Sequence, residues 1–312
     1  MASTTTNLYP GIYVPTVAFF NDDDTIDERT TQSHAHRLAT TPHVAGLVTH
    51  GSSGEAVHLD DDERKLITRL TRKALDRAGK AHLPLIVGCG SQSTRETIRL
   101  CNDAHSSGGT HALVLPPSYY GDLLTTDLLE THFQAVADAS PIPLLIYNFP
   151  APCGGLDLSS DTIIRLAAHP NIVGAKLTCG NTGKLARVVA GTRDTDFRIF
   201  GGSADLILPT LSVGGHGVIA GLANVAPLAC SEVMQSWREG RTDDAIEMQG
   251  VVARGDFAAI QGGFVCIKAA LQRYYGYGGL PRRPCAMLDG EALEAQMGEF
   301  EELMEAENTL ED

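Results

Sequence analysis

The sequence predicts an α/β fold: a closed parallel (β/α)8 TIM barrel with a C-terminal helical bundle. Three observations carry that expectation. Eight short apolar runs alternate with eight segments of helical periodicity over residues 11–238. The runs are too apolar for a sheet with one wet face, which points to strands covered on both sides. After about residue 240 the strand signals stop and only helical ones continue. A doubly wound open sheet uses the same units, but no G-x-G-x-x-G follows the first run, and a count of eight favours closure. The expected division is a flexible N-terminus over 1–10, a barrel over 11–238 and a helical appendage over 239–312.

Taken in order, the first run is Ile12–Phe19, followed by a helix near 28–39. Ala45–His50 comes next, then a helix over 61–78 that Asp60 is placed to cap. Leu85–Cys89 leads to a helix over 94–106 capped by Ser93. Ala112–Leu115 and a helix over 126–139 follow, then Leu144–Asn148 and a helix over 160–167 behind Ser159. Ile172–Thr178 is set off by Pro170-Asn171 before it and Cys179-Gly180-Asn181 after it. A helix over 183–190, the run Arg198–Phe200, a helix over 204–212 behind Ser203, the run Gly217–Ala220 and a helix over 226–238 complete the barrel. Beyond it lie Thr242–Arg254, the amphipathic run Phe257–Tyr275, a Gly/Pro-rich connector from Gly276 to Pro284, and Gly290–Glu305.

Composition excludes several classes. With 43% hydrophobic and 20% charged residues among 312, the chain has material for a core and no disorder signature. A net charge of −14 argues against nucleic acid and anionic membrane as partners, though a locally positive site can still take an anionic substrate. Seven dispersed cysteines without a C-x-x-C pair suit reduced thiols in a cytoplasmic enzyme. Met1–Pro10 is polar, without a signal or transit pattern, and no apolar run approaches the roughly 18 residues of a membrane span.

In such a barrel the working residues sit at the C-terminal ends of strands. Lys176 lies within an apolar strand, where alternation sets Gly174, Lys176 and Thr178 on one face and Val173, Ala175 and Leu177 on the other. A buried ammonium loses hydration, its pKa falls, and a neutral amine condenses with a ketone; a strand lysine can equally snorkel to water. Tyr147 ends the preceding strand, on the face it shares with Leu145, within reach of an adduct on Lys176 if both face inward. It can move protons, or simply cap the core. Gly51-Ser52-Ser53-Gly54-Glu55 can turn its N–H groups together into a nest for a carboxylate or phosphate, with Glu55 anchoring the loop. Pro116-Pro117-Ser118-Tyr119-Tyr120-Gly121 puts adjacent tyrosines on a loop, against another subunit or flat on their own rim. His50 and His58 flank the serine loop and can meet sugar hydroxyls or satisfy nearby backbone. No His/Asp/Glu cluster has metal-ligand spacing.

Together, the G-[ST]-[ST]-G-E loop, the Y-N-x-P strand end (Tyr147-Asn148-Phe149-Pro150) and the G-x-K strand resemble one family. It is the pyruvate-dependent class I aldolases and lyases that include dihydrodipicolinate synthase and N-acetylneuraminate lyase. The resemblance runs from about Gly11 to Glu305. It implies a homotetramer (a dimer of dimers), Lys176 as the Schiff-base lysine and Tyr147 as the proton shuttle. Gly51, Ser52 and Ser53 would bind the pyruvyl carboxylate, with Ser52 also relaying protons to Tyr147. Tyr120 matches a tyrosine that, in the synthases, reaches the neighbouring subunit's site. Gly202, Ser203 and Ala220 match loops around the substrate. In the lysine-biosynthetic synthases an arginine stands five residues after the tyrosine; here that position is Pro152, which cannot make a bidentate contact to a carboxylate. The stretches GSSGEAVHL and GLANVAP look closer to fungal 2-keto-3-deoxy-sugar-acid (L-threo-3-deoxy-hexulosonate) and 4-hydroxy-2-oxoglutarate aldolases.

The expected activity is metal-independent cleavage of a 2-keto-3-deoxy sugar acid, such as 2-keto-3-deoxy-L-galactonate, to pyruvate and an aldehyde such as glyceraldehyde. The expected cofactor is none beyond the covalent imine of Lys176 with the keto acid. Thr178, Ser203, Asn181 and His58 are available for a polyol chain. The alternatives are a 4-hydroxy-2-oxoglutarate aldolase, a dihydrodipicolinate-synthase-like enzyme, a dehydratase with the same covalent start, or a ligand-binding protein without turnover.

Overall fold

The computed structural model describes residues 8–311. Eight parallel strands close into a barrel in sequence order, β1 (Gly11–Pro15), β2 (Val44–Thr49), β3 (Leu85–Gly88), β4 (His111–Val114), β5 (Leu144–Asn148), β6 (Ile172–Leu177), β7 (Arg198–Gly201) and β8 (Gly217–Ile219), with β8 paired back to β1. The helices between them are α1 (Glu28–Thr40), α2 (Asp61–Arg77), α3 (Thr94–Ser106), α4 (Thr126–Ala139), α5 (Ser160–Leu166), α6 (Thr182–Gly191) and α7 (Ile207–Ser212), and α8 (Pro227–Arg238) closes the ring. Asp60, Ser93 and Ser159 cap α2, α3 and α5 as expected, Asp60 within a full capping box with Glu63. Ser203 instead precedes a short 3-10 turn that leads into α7, and its side chain caps nothing.

Apolar side chains form two nested cores. The outer one lies between strands and helices and holds Ile146, Ala175, Leu177 and Ile199. The inner one fills the barrel with Tyr13, Val48, Ile86, Leu113, Leu145, Tyr147, Phe200 and Ile219. Strict alternation fails at one point. Leu144 pairs with Ile172 but Leu145 with Gly174, so β6 carries an extra residue, and Val173 turns into the barrel interior instead of outward with Ala175 and Leu177. The matching irregularity in β2 lies between Val44 and Gly46. The first strand also ends sooner than its apolar run: beyond Pro15 the chain leaves the sheet, and Phe19 packs edge-on against His34.

The C-terminal part comprises α9 (Thr242–Tyr275), α10 (Gly290–Gly298) and α11 (Glu301–Glu311). The two helices expected over 242–275 run as one element with its kink at Gly263 (φ 60°). By length and composition α9 is apolar enough to cross a membrane, against the expectation that no run approaches that limit. In the fold it packs against α8, α10 and α11 and buries Asp256 and Lys268. Glu307 of α11 accepts the Leu228 and Ala229 N–H groups at 3.0 and 2.7 Å, satisfying the start of α8. Of the segment 1–10, residues 1–7 lie outside the described residues; Leu8 is buried in the inner core, and the Pro10 carbonyl accepts from Arg238 at 2.8 Å.

Candidate active site

Lys176 is registered directly against Tyr147 of β5 on one side and Phe200 of β7 on the other, which sets all three in one layer of the barrel interior. Its Nζ donates to the Tyr147 hydroxyl at 3.1 Å and lies 4.3 Å from that ring's centroid. Both side chains are buried, at 4% and 3% exposure. Phe149 stacks on the Tyr147 ring at 5.7 Å and holds its plane. A buried amine bonded to a phenol is an arrangement in which a proton can pass between a nucleophile and its neighbour.

The loop after β2 turns tightly across the barrel mouth. Gly54 N bonds to Gly51 O at 3.1 Å and Glu55 N to Ser52 O at 3.3 Å, which leaves the Ser52 and Ser53 N–H groups without a protein partner among the described residues. Its ends, His50 (φ 56°) and Glu55 (φ 51°), are left-handed, a strain of about 1–3 kcal/mol each for a non-glycine residue that the surroundings must hold. At one end the His50 Nε2 lies 2.8 Å from the Arg64 carbonyl and 2.9 Å from the Thr68 hydroxyl, and burial followed by the Arg64 charge lowers its pKa to about 3. A neutral histidine there is an anchor. The loop also passes so close to β3 that a Cβ on Gly88 would stand 1.9 Å from the His50 carbonyl oxygen.

Around the rim, Thr178 follows β6 and Gly202 follows β7. A Cβ on Gly202 would stand 1.9 Å from Thr178 Oγ1, so this contact needs glycine. The Thr178 hydroxyl is buried without a hydrogen-bond partner among the described residues. Ser203 donates to Asp205. The next backbone N–H groups, Ala204 and Asp205, bond to the Asp256 carboxylate of α9 at 2.7 and 2.9 Å. Ala220 is fully buried, and Gly221 beside it places the site of an added Cβ 3.4 Å from Ser53 Oγ, so the rims of β2 and β8 meet.

A cleft of about 490 Å³ opens from this mouth toward β3–β5. Gly51, Ser52, Tyr147 and Pro152 line it, as do Arg64, Gln92 and Glu96. The structure thus brings Ser52 and Tyr147 to one cleft and registers Lys176 behind Tyr147. It does not bring His58 there: that imidazole lies 3.2 Å from Glu55 and edge-on to Phe264, at the seam with the C-terminal helices. Tyr120 is 66% exposed, packed edge-on to Tyr119, and does not line this cleft. Among the described residues no group of three or more His, Cys, Asp or Glu side chains is disposed to hold a metal ion.

Sequence reasoning missed three parts of this frame. Lys268 reaches from α9 to Glu55 at 2.8 Å, with neither side chain exposed. Arg64 braces the serine loop by donating to the Ala56 and Gly88 carbonyls at 3.0 and 2.5 Å. Gln92 Oε1 accepts from Ser118 N and Tyr119 N, both at 2.8 Å, and so sets the tyrosine loop. Arg64 carried a local signal, as a basic residue one turn into a helix adjoining the loop; Lys268 carried none.

The sequence profile of the dihydrodipicolinate synthetase family matches residues 9–302. The chain is 56% identical over 304 residues to the probable 4-hydroxy-2-oxoglutarate aldolase, mitochondrial, of Emericella nidulans, covering 97% of this chain and 98% of that one. It is 47% identical over 308 residues to the L-threo-3-deoxy-hexylosonate aldolase of Hypocrea jecorina, covering 96% and 98%. Among solved structures, a prophage protein of the dihydrodipicolinic acid synthase family from E. coli K12, crystallised with pyruvate, superposes with a TM-score of 0.87. It is 27% identical, with 95% of this chain and 99% of that one covered.

Proposed function

The chain belongs to the dihydrodipicolinate synthetase family and is an aldolase of that family, and we propose that it cleaves a 2-keto-3-deoxy sugar acid through an imine on Lys176. The observation that carries the reading is the buried Lys176–Tyr147 contact at 3.1 Å at the C-terminal end of the barrel. Lys176 Nζ adds to the C2 ketone, and the carbonyl oxygen leaves as water. Tyr147, relayed by Ser52, takes the C4 hydroxyl proton; the C3–C4 pair moves into the C2–C3 bond as an enamine, and the aldehyde departs. Protonation of C3 and hydrolysis release pyruvate and the amine. The iminium is the electron sink, so the step asks for no metal ion. Gly51, Ser52 and Ser53 hold C1, and fixing that end makes the reaction effectively unimolecular. Thr178, Gly202, Ser203 and Ala220 border the distal chain. His58 is left out of this set, because its imidazole is turned to the seam.

A second reading, 4-hydroxy-2-oxoglutarate cleavage, is favoured by the name of the 56% identical relative. Pro152 on the cleft wall offers no cation to a second carboxylate, which favours the sugar acid. Tyr119 and Tyr120, exposed with Leu123 and Leu128, support one subunit interface at the rim, of the kind the proposed homotetramer would use. The cytoplasm is the compartment the seven free cysteines favour. One relative's mitochondrial designation makes cell fractionation the check.

The test is borohydride reduction in the presence of pyruvate. One pyruvyl group on the peptide carrying Lys176 is expected, and label elsewhere refutes the mechanism. In the same preparation 2-keto-3-deoxyhexonates are expected to release pyruvate in EDTA as they do without it, and faster than 4-hydroxy-2-oxoglutarate does. Pyruvate with aspartate semialdehyde is expected to give negligible product.

A further inference from the structure

The C-terminal helices reach the mouth of the barrel through one buried ion pair. Glu55, which ends the serine loop, is turned away from the cleft. Its carboxylate accepts from Lys268 Nζ at 2.8 Å, from Arg282 N at 2.9 Å and from His58 Nδ1 at 3.2 Å. Lys268 is fully buried, donates also to the Leu280 carbonyl at 2.6 Å, and stands 4.8 Å above the Phe20 ring. The Arg282 guanidinium covers the same ring at 4.2 Å. Two buried charges give up hydration that their attraction barely repays, so such a pair is weak as a source of stability and better suited to fixing a register. What this pair fixes is a loop with left-handed backbone at both ends and few hydrogen bonds of its own.

We propose that Lys268, acting through Glu55, is a positioning residue for the anion-binding turn Gly51–Gly54. It sets the direction of the Ser52 and Ser53 N–H groups, and so the affinity for the keto acid's carboxylate, without touching the substrate. The helical appendage is thereby part of the active site. This rests on the reading of the serine loop as the carboxylate site.

Two variants test it. Glu55→Gln/Lys268→Met removes both charges together, so no buried ion is left alone. Glu55→Asp keeps the charge but shortens its reach by one methylene. Borohydride trapping is run over a range of pyruvate concentrations, alongside kcat and KM for cleavage. In both variants the half-saturating pyruvate concentration is expected to rise about tenfold, the weight of one well-aligned charge-assisted contact. The trapping rate at saturation and kcat are expected to stay within about threefold of the parent. A half-saturation within twofold of the parent's in either folded variant overturns the proposal. If the double variant does not fold, Glu55→Asp alone decides. A parent that is not trapped at Lys176 takes down the proposed function and this inference together; a trapped parent with unchanged variants takes down the inference only.

Discussion

Three lysines are buried among the described residues, and their surroundings differ in one respect. Lys184 is paired with Asp157, and Lys268 with Glu55. Lys176 faces a phenol and its ring, and no carboxylate pairs with it among the described residues. A carboxylate partner fixes where the lysine's nitrogen sits, which makes the lysine a fixture of the fold. A buried amine with a phenol for its partner has no such hold, and on the proposed mechanism its nitrogen is the one that forms a bond. Burial alone therefore does not mark a reactive lysine; the partner does.

The largest effect that would break this contrast is at Lys176. Lys176→Met is expected to abolish turnover, by about 10⁴-fold or more, while leaving the thermal midpoint near the parent's, since an amine without a counter-ion is replaced by an apolar chain. Lost stability comparable to that of Lys268→Met would make Lys176 a structural lysine as well. Next in size, Tyr147→Phe keeps the ring stacked on Phe149 and removes only the hydroxyl. Cleavage is expected to slow by about 10²–10⁴-fold with pyruvate trapping less affected, a difference read by comparing kcat with the single-turnover trapping rate.

Lys268→Met sharpens the other side. It leaves Glu55 buried without its cation, at a cost of about 3–5 kcal/mol in denaturant-unfolding stability. The neutral double variant with Glu55→Gln is expected to recover most of that loss. No recovery would mean that the two residues act separately.

What the sequence made legible follows the same division. Lys176 and Tyr147 were readable because strand alternation and the strand-end rule are local, and the irregularity in β6 lies upstream of Lys176 and turns only Val173. The serine loop was readable from its glycines, and Glu55 from its place just beyond them. Its partner was not, because Lys268 lies 213 positions away on a helix whose local pattern says nothing of the loop it reaches. His58 looked available for substrate on sequence proximity alone, and the 3-10 turn Ala56–His58 sends its ring to the seam instead. Asp256 was invisible for the same reason as Lys268: α9 crosses the rim of β7 only in three dimensions.

Asp256 offers the smallest effect and a different kind of buried charge, one with backbone N–H groups for partners and no cation. Burial, chiefly, raises its pKa from the ordinary 3.8 to about 7; the Ala204 and Asp205 N–H groups pull it down and the Asp205 carboxylate pushes it further up. Between about pH 4 and pH 7 the folded chain keeps a proton that the unfolded chain has lost. The Asp256 contribution to stability therefore falls as pH rises through that window and is level on either side of it, while buried histidines such as His34 and His50, with pKa lowered to about 3, act in the opposite direction. At about 1.4 kcal/mol per unit over about three units, the loss is on the order of 4 kcal/mol. Glu307, also raised to about 7 by burial, contributes with the same sign. Asp256→Asn cannot ionise, so its stability relative to the parent's, measured by urea unfolding from pH 4 to pH 8, is expected to rise with pH across the window. Adding Glu307→Gln is expected to enlarge that difference. A variant-minus-parent difference that stays flat across the window would show that Asp256 is held ionised, and that the N–H groups outweigh burial at the rim of β7.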